Sequence, residues 1–152
     1  MLLATVAVAI SSANSYIDGA GKAYAAMPTA KIGKDNVVKL EVASTEAEIE
    51  RGLMWRTSLP EDHGMVFLFH PPKKEQFWMH NCFISLDMLF IKDGKIVHIF
   101  EDVPPCKEKD PRQCPTYPEG EGIEVSEVVE VKGGWAKRHD VKVGDPVSFN
   151  VP

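Results

Sequence analysis

The sequence predicts a single all-β domain in which one sheet face packs against another, or a sheet closes into a barrel. Three observations lead there. Short runs of alternating or continuous apolar residues, bounded by Gly, Pro and Asp turn signals, recur seven or eight times along the chain. The segment Arg51–Phe90 holds four methionines, two tryptophans and five phenylalanines in forty residues, a density that cannot stay in water. The 152 residues, 44% hydrophobic and 26% charged, suffice for one core and match an ordinary globular domain.

The N-terminus differs from the rest. Leu2 to Ile10 (LLATVAVAI) is too short to span a membrane but has the size of a signal-peptide apolar region. Ala23-Tyr24-Ala25 offers a small-x-small cleavage site, although no Lys or Arg precedes the apolar run. The expectation is a signal peptide over 1–26, a disordered linker over 27–36, and a β domain over 37–152. The mature chain would be exported to the periplasm or cell envelope with no integral membrane segment.

Val37 to Ala43 (VVKLEVA) places Val38, Leu40 and Val42 on one face and Lys39 and Glu41 on the other, the signature of a half-buried strand. Thr45-x-x-Glu48 reads as a capping box opening a short helix, which turns Ile49 and Leu53 inward and ends at Gly52. Thr57 to Gly64 is a turn-rich connector. Met65 to Phe69, bounded by Gly64 and Pro71-Pro72, is a continuous apolar run too short for an ordinary helix and reads as a central strand. Gln76 to His80 is a further strand, followed by a turn over Asn81 to Leu86. Met88–Lys92 and Lys95–Phe100 flank Asp93-Gly94, which predicts a type I′ hairpin because both central residues need positive φ. Pro104 to Gly122 is an irregular excursion. Ile123 to Val131 returns to strand, Gly133-Gly134 breaks it, and Trp135 to His139 reads as one helical turn whose tryptophan plugs the core. Pro146 to Val151 closes as an edge strand, with proline where no ladder donor is needed.

A net charge of −5, from 17 basic and 22 acidic residues, argues against a nucleic-acid partner, because phosphate binding needs clustered Lys and Arg. Gly133-Gly134 and Gly144-Asp145 are turn signals rather than phosphate loops, and no cofactor is expected. Cys106 and Cys114 have seven residues between them in a Pro- and charge-rich loop. A disulfide is the favoured reading and agrees with export. Zinc or two free thiols are the alternatives, and zinc lacks a second cysteine pair. Cys82, beside Phe83 and Ile84, reads as a buried thiol.

Gly52-Leu53-Met54-x-Arg56, Leu59-Pro60, Gly64-Met65-x-Phe67-x-Phe69, Phe77-Trp78-Met79-x-Asn81, Leu86-Asp87 and Val143-Gly144-Asp145 occur in this order. Together they resemble the DUF192 family, a bacterial and archaeal domain of unknown function, over about Val37 to Val151. The resemblance implies a compact, jelly-roll-like β-sandwich with one or two short helices. It also places the segment from Pro105-Cys106 to Cys114-Pro115-x-Tyr117 in a branch of the family that carries such an insertion. One departure is Cys82, where the family pattern has Thr.

Four residues stand out as ligand-binding candidates: Arg56, Trp78, Asn81 and Asp87. Arg forks match carboxylate or phosphate, and Trp stacks on flat or sugar-like ligands. The competing structural reading pairs Arg56 with Asp87, or has Asp87 cap a turn. Met54, Met65, Met79 and His80 suggest a soft-metal site of the Cu(I) type, against the plainer reading of methionine as core filler. His80 and Cys82 resemble a base and nucleophile, with no third residue to orient them. The expected role is a monomeric, non-catalytic binding or accessory module for a small molecule, glycan or protein. The alternatives are an enzyme using Asp87 with Arg56 or Asn81, and a copper carrier.

Overall fold

The computed structural model describes residues 16–17, 21–24 and 26–150. The apolar run Leu2–Ile10, Ala25 of the expected cleavage site and Val151 of the last strand lie outside them.

The chain is all-β, with two short helices and one 3-10 turn. In order it forms β1 (Tyr16–Ile17), β2 (Ala23–Tyr24), β3 (Thr29–Ile32), β4 (Asn36–Ala43), α1 (Glu46–Arg51), β5 (His63–Glu75) and β6 (Phe77–Trp78). There follow β7 (Leu86–Lys92), β8 (Lys95–Val103), a 3-10 turn (Pro111–Gln113), β9 (Thr116–Tyr117), β10 (Ile123–Lys132), α2 (Trp135–Arg138) and β11 (Val147–Asn150). Seven strands make one sheet in the order β11-β3-β4-β5-β10-β7-β8, while β1–β2 and β6–β9 form two small ladders. The sheet curls until its outer strands meet. Val147 N–H donates to the Gly94 carbonyl (2.8 Å), Ile96 N–H donates to that of Asp145 (3.0 Å), and Lys95 bridges Pro146. The edge of β11 is thereby covered, as an exposed edge would otherwise template aggregation.

The two buried faces of this sheet hold separate clusters. Inside the curl lie Ile32, Leu40, Val66, Leu89, Ile91, Val129 and Val131, closed at one end by Trp135 of α2. On the outer face lie Met65, Phe67, Phe69, Met88, Phe90 and Val128, covered by Leu53, Leu59, Phe77, Met79 and Cys82. Strand alternation produces this division directly: Phe67, Val128 and Phe90 lie side by side facing outward, and Val66, Val129 and Leu89 side by side facing inward. The methionine- and phenylalanine-rich segment is therefore the filling of the outer layer.

The local elements have identifiable causes. Thr45 accepts from Glu48 N–H, and Glu48 accepts from Thr45 N–H, so both halves of the capping box form. Asp93 and Gly94 have φ of 52° and 68°, as the hairpin requires. Pro71 and Pro72 do not end β5. They sit where residues 69–72 have only Ser126 opposite them, between the pairs Leu68–Glu127 and Lys73–Val125, so ladder donors are not demanded there. Two expectations need correction. Residues 27–36 are not a linker: Thr29–Ile32 is β3, joining β11 to β4, with Ala30 and Ile32 fully buried by simple alternation. The strand expected over Gln76–His80 is shorter, only Phe77–Trp78, because its partner β9 is itself two residues long.

Asp87 is fully buried on the inner side of β7. Its carboxyl oxygens accept from the backbone N–H groups of Asp102, Gly134 and Ala136, each at 2.7 Å. It thus fixes β8, the Gly133-Gly134 turn and α2 to one another. Removing it leaves three backbone donors, one of them fully buried, without their acceptor. Asp87→Ala should destabilise the fold by about 3–5 kcal/mol, read as a lower urea midpoint at unchanged slope. An unaltered midpoint would show that these three bonds do not hold the α2 end together.

Candidate functional site

The elements covering the outer face do not meet flush. α1, the turn after it, β6, the Asn81 turn and the disulfide loop leave a cleft of about 390 Å³ lined by Glu50, Arg51, Met54, Trp55, Trp78, His80, Asn81 and Pro111. Beside it, His80, Asn81, Cys82, Phe83 and the segment from Pro105 to Lys109 line a second cleft of about 570 Å³. Both volumes fall in the range of small-molecule sites.

Backbone geometry builds the rim. Trp55 and Asn81 are non-glycine residues with φ of 62° and 57°, and Trp55 N–H donates to the Asn81 carbonyl at 2.8 Å. The Asn81 amide donates to Met54 Sδ at 3.9 Å. Asn tolerates the left-handed region, whereas for a bulky Trp it is strained. Trp55 is 54% exposed and Phe83 58%, so apolar rings flank the turn in solvent. The ring centroids of Trp78 and His80 are 5.8 Å apart. The disulfide forms the far wall: Cys106–Cys114 has S–S 2.06 Å, and Cys106 N–H donates to the Met79 carbonyl at 3.0 Å.

Beneath the first cleft is a hollow of about 20 Å³, sharing Glu50, Arg51, Met54, Trp78 and His80 with it and adding Gly52, Leu53, Phe67, Phe77, Cys82 and Glu130. Glu130 on β10 pairs laterally with Met65 and Met88 and so faces outward into this layer. It is 4% exposed. Burial alone pushes its carboxyl up from 4.5 to about 8. Burial, and then the neighbouring Glu130, push the Cys82 thiol up to about 12.

The four sequence candidates divide. Trp78 and Asn81 line the same cleft. Arg56 lies elsewhere, ion-paired to Glu41 through two contacts of 2.6 and 2.7 Å, beside a different hollow with Met65. Asp87 is enclosed on the opposite face of the sheet, so neither the Arg56–Asp87 pair nor an Asp87-centred catalytic group with Arg56 or Asn81 forms. Each charged group met a nearer partner: Glu41 for Arg56, and backbone donors for Asp87. The soft-metal set also disperses. Met54 and His80 line the first cleft, Met65 lines the hollow beside Arg56, and Met79 is 1% exposed in the outer core. His80 and Cys82 do border the same cleft, but a thiol raised this far stays protonated at neutral pH and is a poor nucleophile. Sequence reading missed Glu130, Trp55 and Arg51. The signal for Glu130 was a carboxylate inside the run Val128-Val129-Glu130-Val131, where neighbours on both sides are apolar.

Comparison with known proteins follows the same residues. The family model DUF192, described as uncharacterized ACR, matches residues 28–149. The chain belongs to the DUF192 family. The match begins at β3, in agreement with that strand's place in the sheet. Among solved structures, a protein of unknown function from Novosphingobium aromaticivorans is 31% identical, with 90% of this chain and 94% of that one covered and a TM-score of 0.71. A candidate transcription regulator from Sinorhizobium meliloti is 29% identical, covering 89% and 90%, with a TM-score of 0.64. No curated protein matches the sequence. Among the described residues, no helix is long and apolar enough to cross a membrane, and no cluster of three or more His, Cys, Asp or Glu is placed to hold a metal.

Glu130 sets a pH signature for stability. Its folded-state value lies above its unfolded one, so the unfolded chain loses this proton first as pH rises. Stability should therefore fall by a few kcal/mol between pH 4.5 and about 8 and level off above. Glu130→Gln, neutral at every pH, should flatten that slope in urea titrations at stepped pH. A slope unchanged by the substitution would mean that Glu130 is not the group responsible.

Proposed function

We propose that this DUF192 protein is an exported, non-catalytic binding module that holds a small ligand with a flat or sugar-like face in the Trp55–Trp78 cleft. One observation carries the reading: a bulky, half-exposed tryptophan is held in a left-handed conformation at the mouth of a cleft floored by a second tryptophan. Strain of this kind persists where the surroundings enforce it, and it concentrates at ligand sites. Aromatic faces supply contact area at small entropy cost, while Glu50, Arg51 and Asn81 offer donors and acceptors at the rim. Arg51 makes no ion pair among the described residues, so its guanidinium is available to a ligand.

Export is supported by the Leu2–Ile10 run and by a disulfide in an irregular surface loop, a bond that lasts only in oxidising compartments. The disulfide also stiffens the loop that carries Pro111, Lys107 and Lys109 to the two clefts.

Probing an immobilised glycan array with the purified protein tests the binding role. Trp55→Asn is the informative variant, because Asn accepts the left-handed backbone while the ring is lost. It should keep the thermal midpoint yet weaken retention at least about tenfold, the scale of one lost stacking contact. Equal retention of the variant would remove the cleft from the argument. For export, residues 1–27 fused to an alkaline phosphatase that is active only outside the cytoplasm should give active enzyme. Inactive fusion would leave the module intracellular, with its disulfide unexplained.

A further inference from the structure

A carboxyl group is costly to bury, and proteins that do so normally surround it with donors. Glu130 has none. It is 4% exposed, and among the described residues its carboxyl makes no hydrogen bond or ion pair and no cation acts on it. The titratable and charged groups lining its hollow are Glu50 and Arg51 from α1, and His80 and Cys82 from the turn opposite. Of these, Cys82 senses its charge. The two strands beside β10 present Met65 and Met88 at that level, and neither offers a strong donor.

The shape of the hollow narrows what could satisfy it. At about 20 Å³ it admits one heavy atom, the size of a water, a hydroxyl or an ammonium nitrogen, and excludes a planar guanidinium. Its walls include Phe67, Phe77 and Trp78, whose ring faces favour a cation over a neutral group. It opens from the floor of the Trp55–Trp78 cleft, with which it shares five lining residues.

We propose that the Glu130 hollow is a subsite for a primary ammonium group, and that the ligand of the cleft is an amine-bearing small molecule whose body lies against the tryptophans while its charged end reaches Glu130. This deepens the cleft-binding reading and rests on it. The ammonium supplies the hydrogen-bond donors and the charge that the chain withholds. Binding ionises Glu130: the carboxyl proton leaves to solvent, the ligand keeps its own three, and an ammonium–carboxylate pair forms in the hollow.

The test uses n-butylammonium chloride as the probe and n-butanol as its neutral counterpart, titrated into the full protein and followed by the indole N–H signals of Trp55 and Trp78. Butylammonium should bind at least about tenfold more tightly than butanol, and tighten by about tenfold from pH 6 to 7 and less steeply toward pH 8, about one proton being released per ligand near pH 6. Calorimetry in two buffers of different ionisation heat counts that proton. Glu130→Gln should abolish both the preference and the pH dependence. Equal binding of butanol and butylammonium, or a preference that survives in Glu130→Gln, overturns the ammonium subsite while leaving the cleft as a binding site. If neither probe shifts either indole, both the subsite and the cleft reading fall.

Discussion

Strands β5, β10 and β7 are apolar on both faces, and this one constraint places nearly everything else. A strand facing water on one side needs only one partner layer. These three need two. Curling the seven-stranded sheet covers their inner face, and Trp135 of α2 stops the open end. The outer face requires material that the main sheet cannot supply. The chain provides it from the crossover between β4 and β5, which carries α1 and Leu53, and from the β6, Met79 and Cys82 region. A patchwork of short pieces has seams that a second continuous sheet would not, and the clefts lie along those seams.

The seam explains why so much unusual backbone collects there. Gly52, Trp55 and Asn81 all have positive φ, and all lie within the motifs that mark the family. Gly52 ends α1 with a left-handed φ, and a Cβ there would come within 3.2 Å of the Phe67 ring. The same turn that seals the outer core therefore lifts Trp55 into solvent. Packing and site are products of a single local geometry. The disulfide belongs to this arrangement too: it pins the longest irregular segment against the Met79 carbonyl, where a loose loop would uncover the outer core.

Much of this was legible in the residues. Asp93-Gly94 fixes its hairpin because few other pairs adopt positive φ twice, and Thr45 with Glu48 fixes the start of α1 because both bonds are local. What was not legible depended on long-range pairing. Nothing in VVKLEVA announces that β4 runs parallel to β5, since a crossover leaves no mark on strand alternation. Thr29–Ile32 was too short to stand out from the tail before it. Arg56 could be matched with any acid, and proximity in the fold, not in the motif order, selected Glu41. Glu130 sits in a run legible only as a strand, and a strand pattern does not tell which of its faces will be covered. With β10 enclosed between β5 and β7 and both faces covered, there is no polar side at that level.

Two buried carboxyls sit on adjacent strands of this sheet, facing opposite ways, and the contrast between them is informative. Asp87 receives three backbone donors from three separate segments, an arrangement that requires β8, the Gly133-Gly134 turn and α2 to converge on it. The fold can therefore satisfy a buried acid. Glu130 lies one strand away, paired directly with Met88 next to Asp87 in sequence, and receives no donor from the described residues. A glutamine or leucine would fit the same outer layer at lower free-energy cost, since neither carries a charge to desolvate. Structural need accounts for Asp87 completely and for Glu130 not at all. The difference between them locates chemistry that the chain leaves to be completed from outside, at a point where the outer layer is open to a cleft.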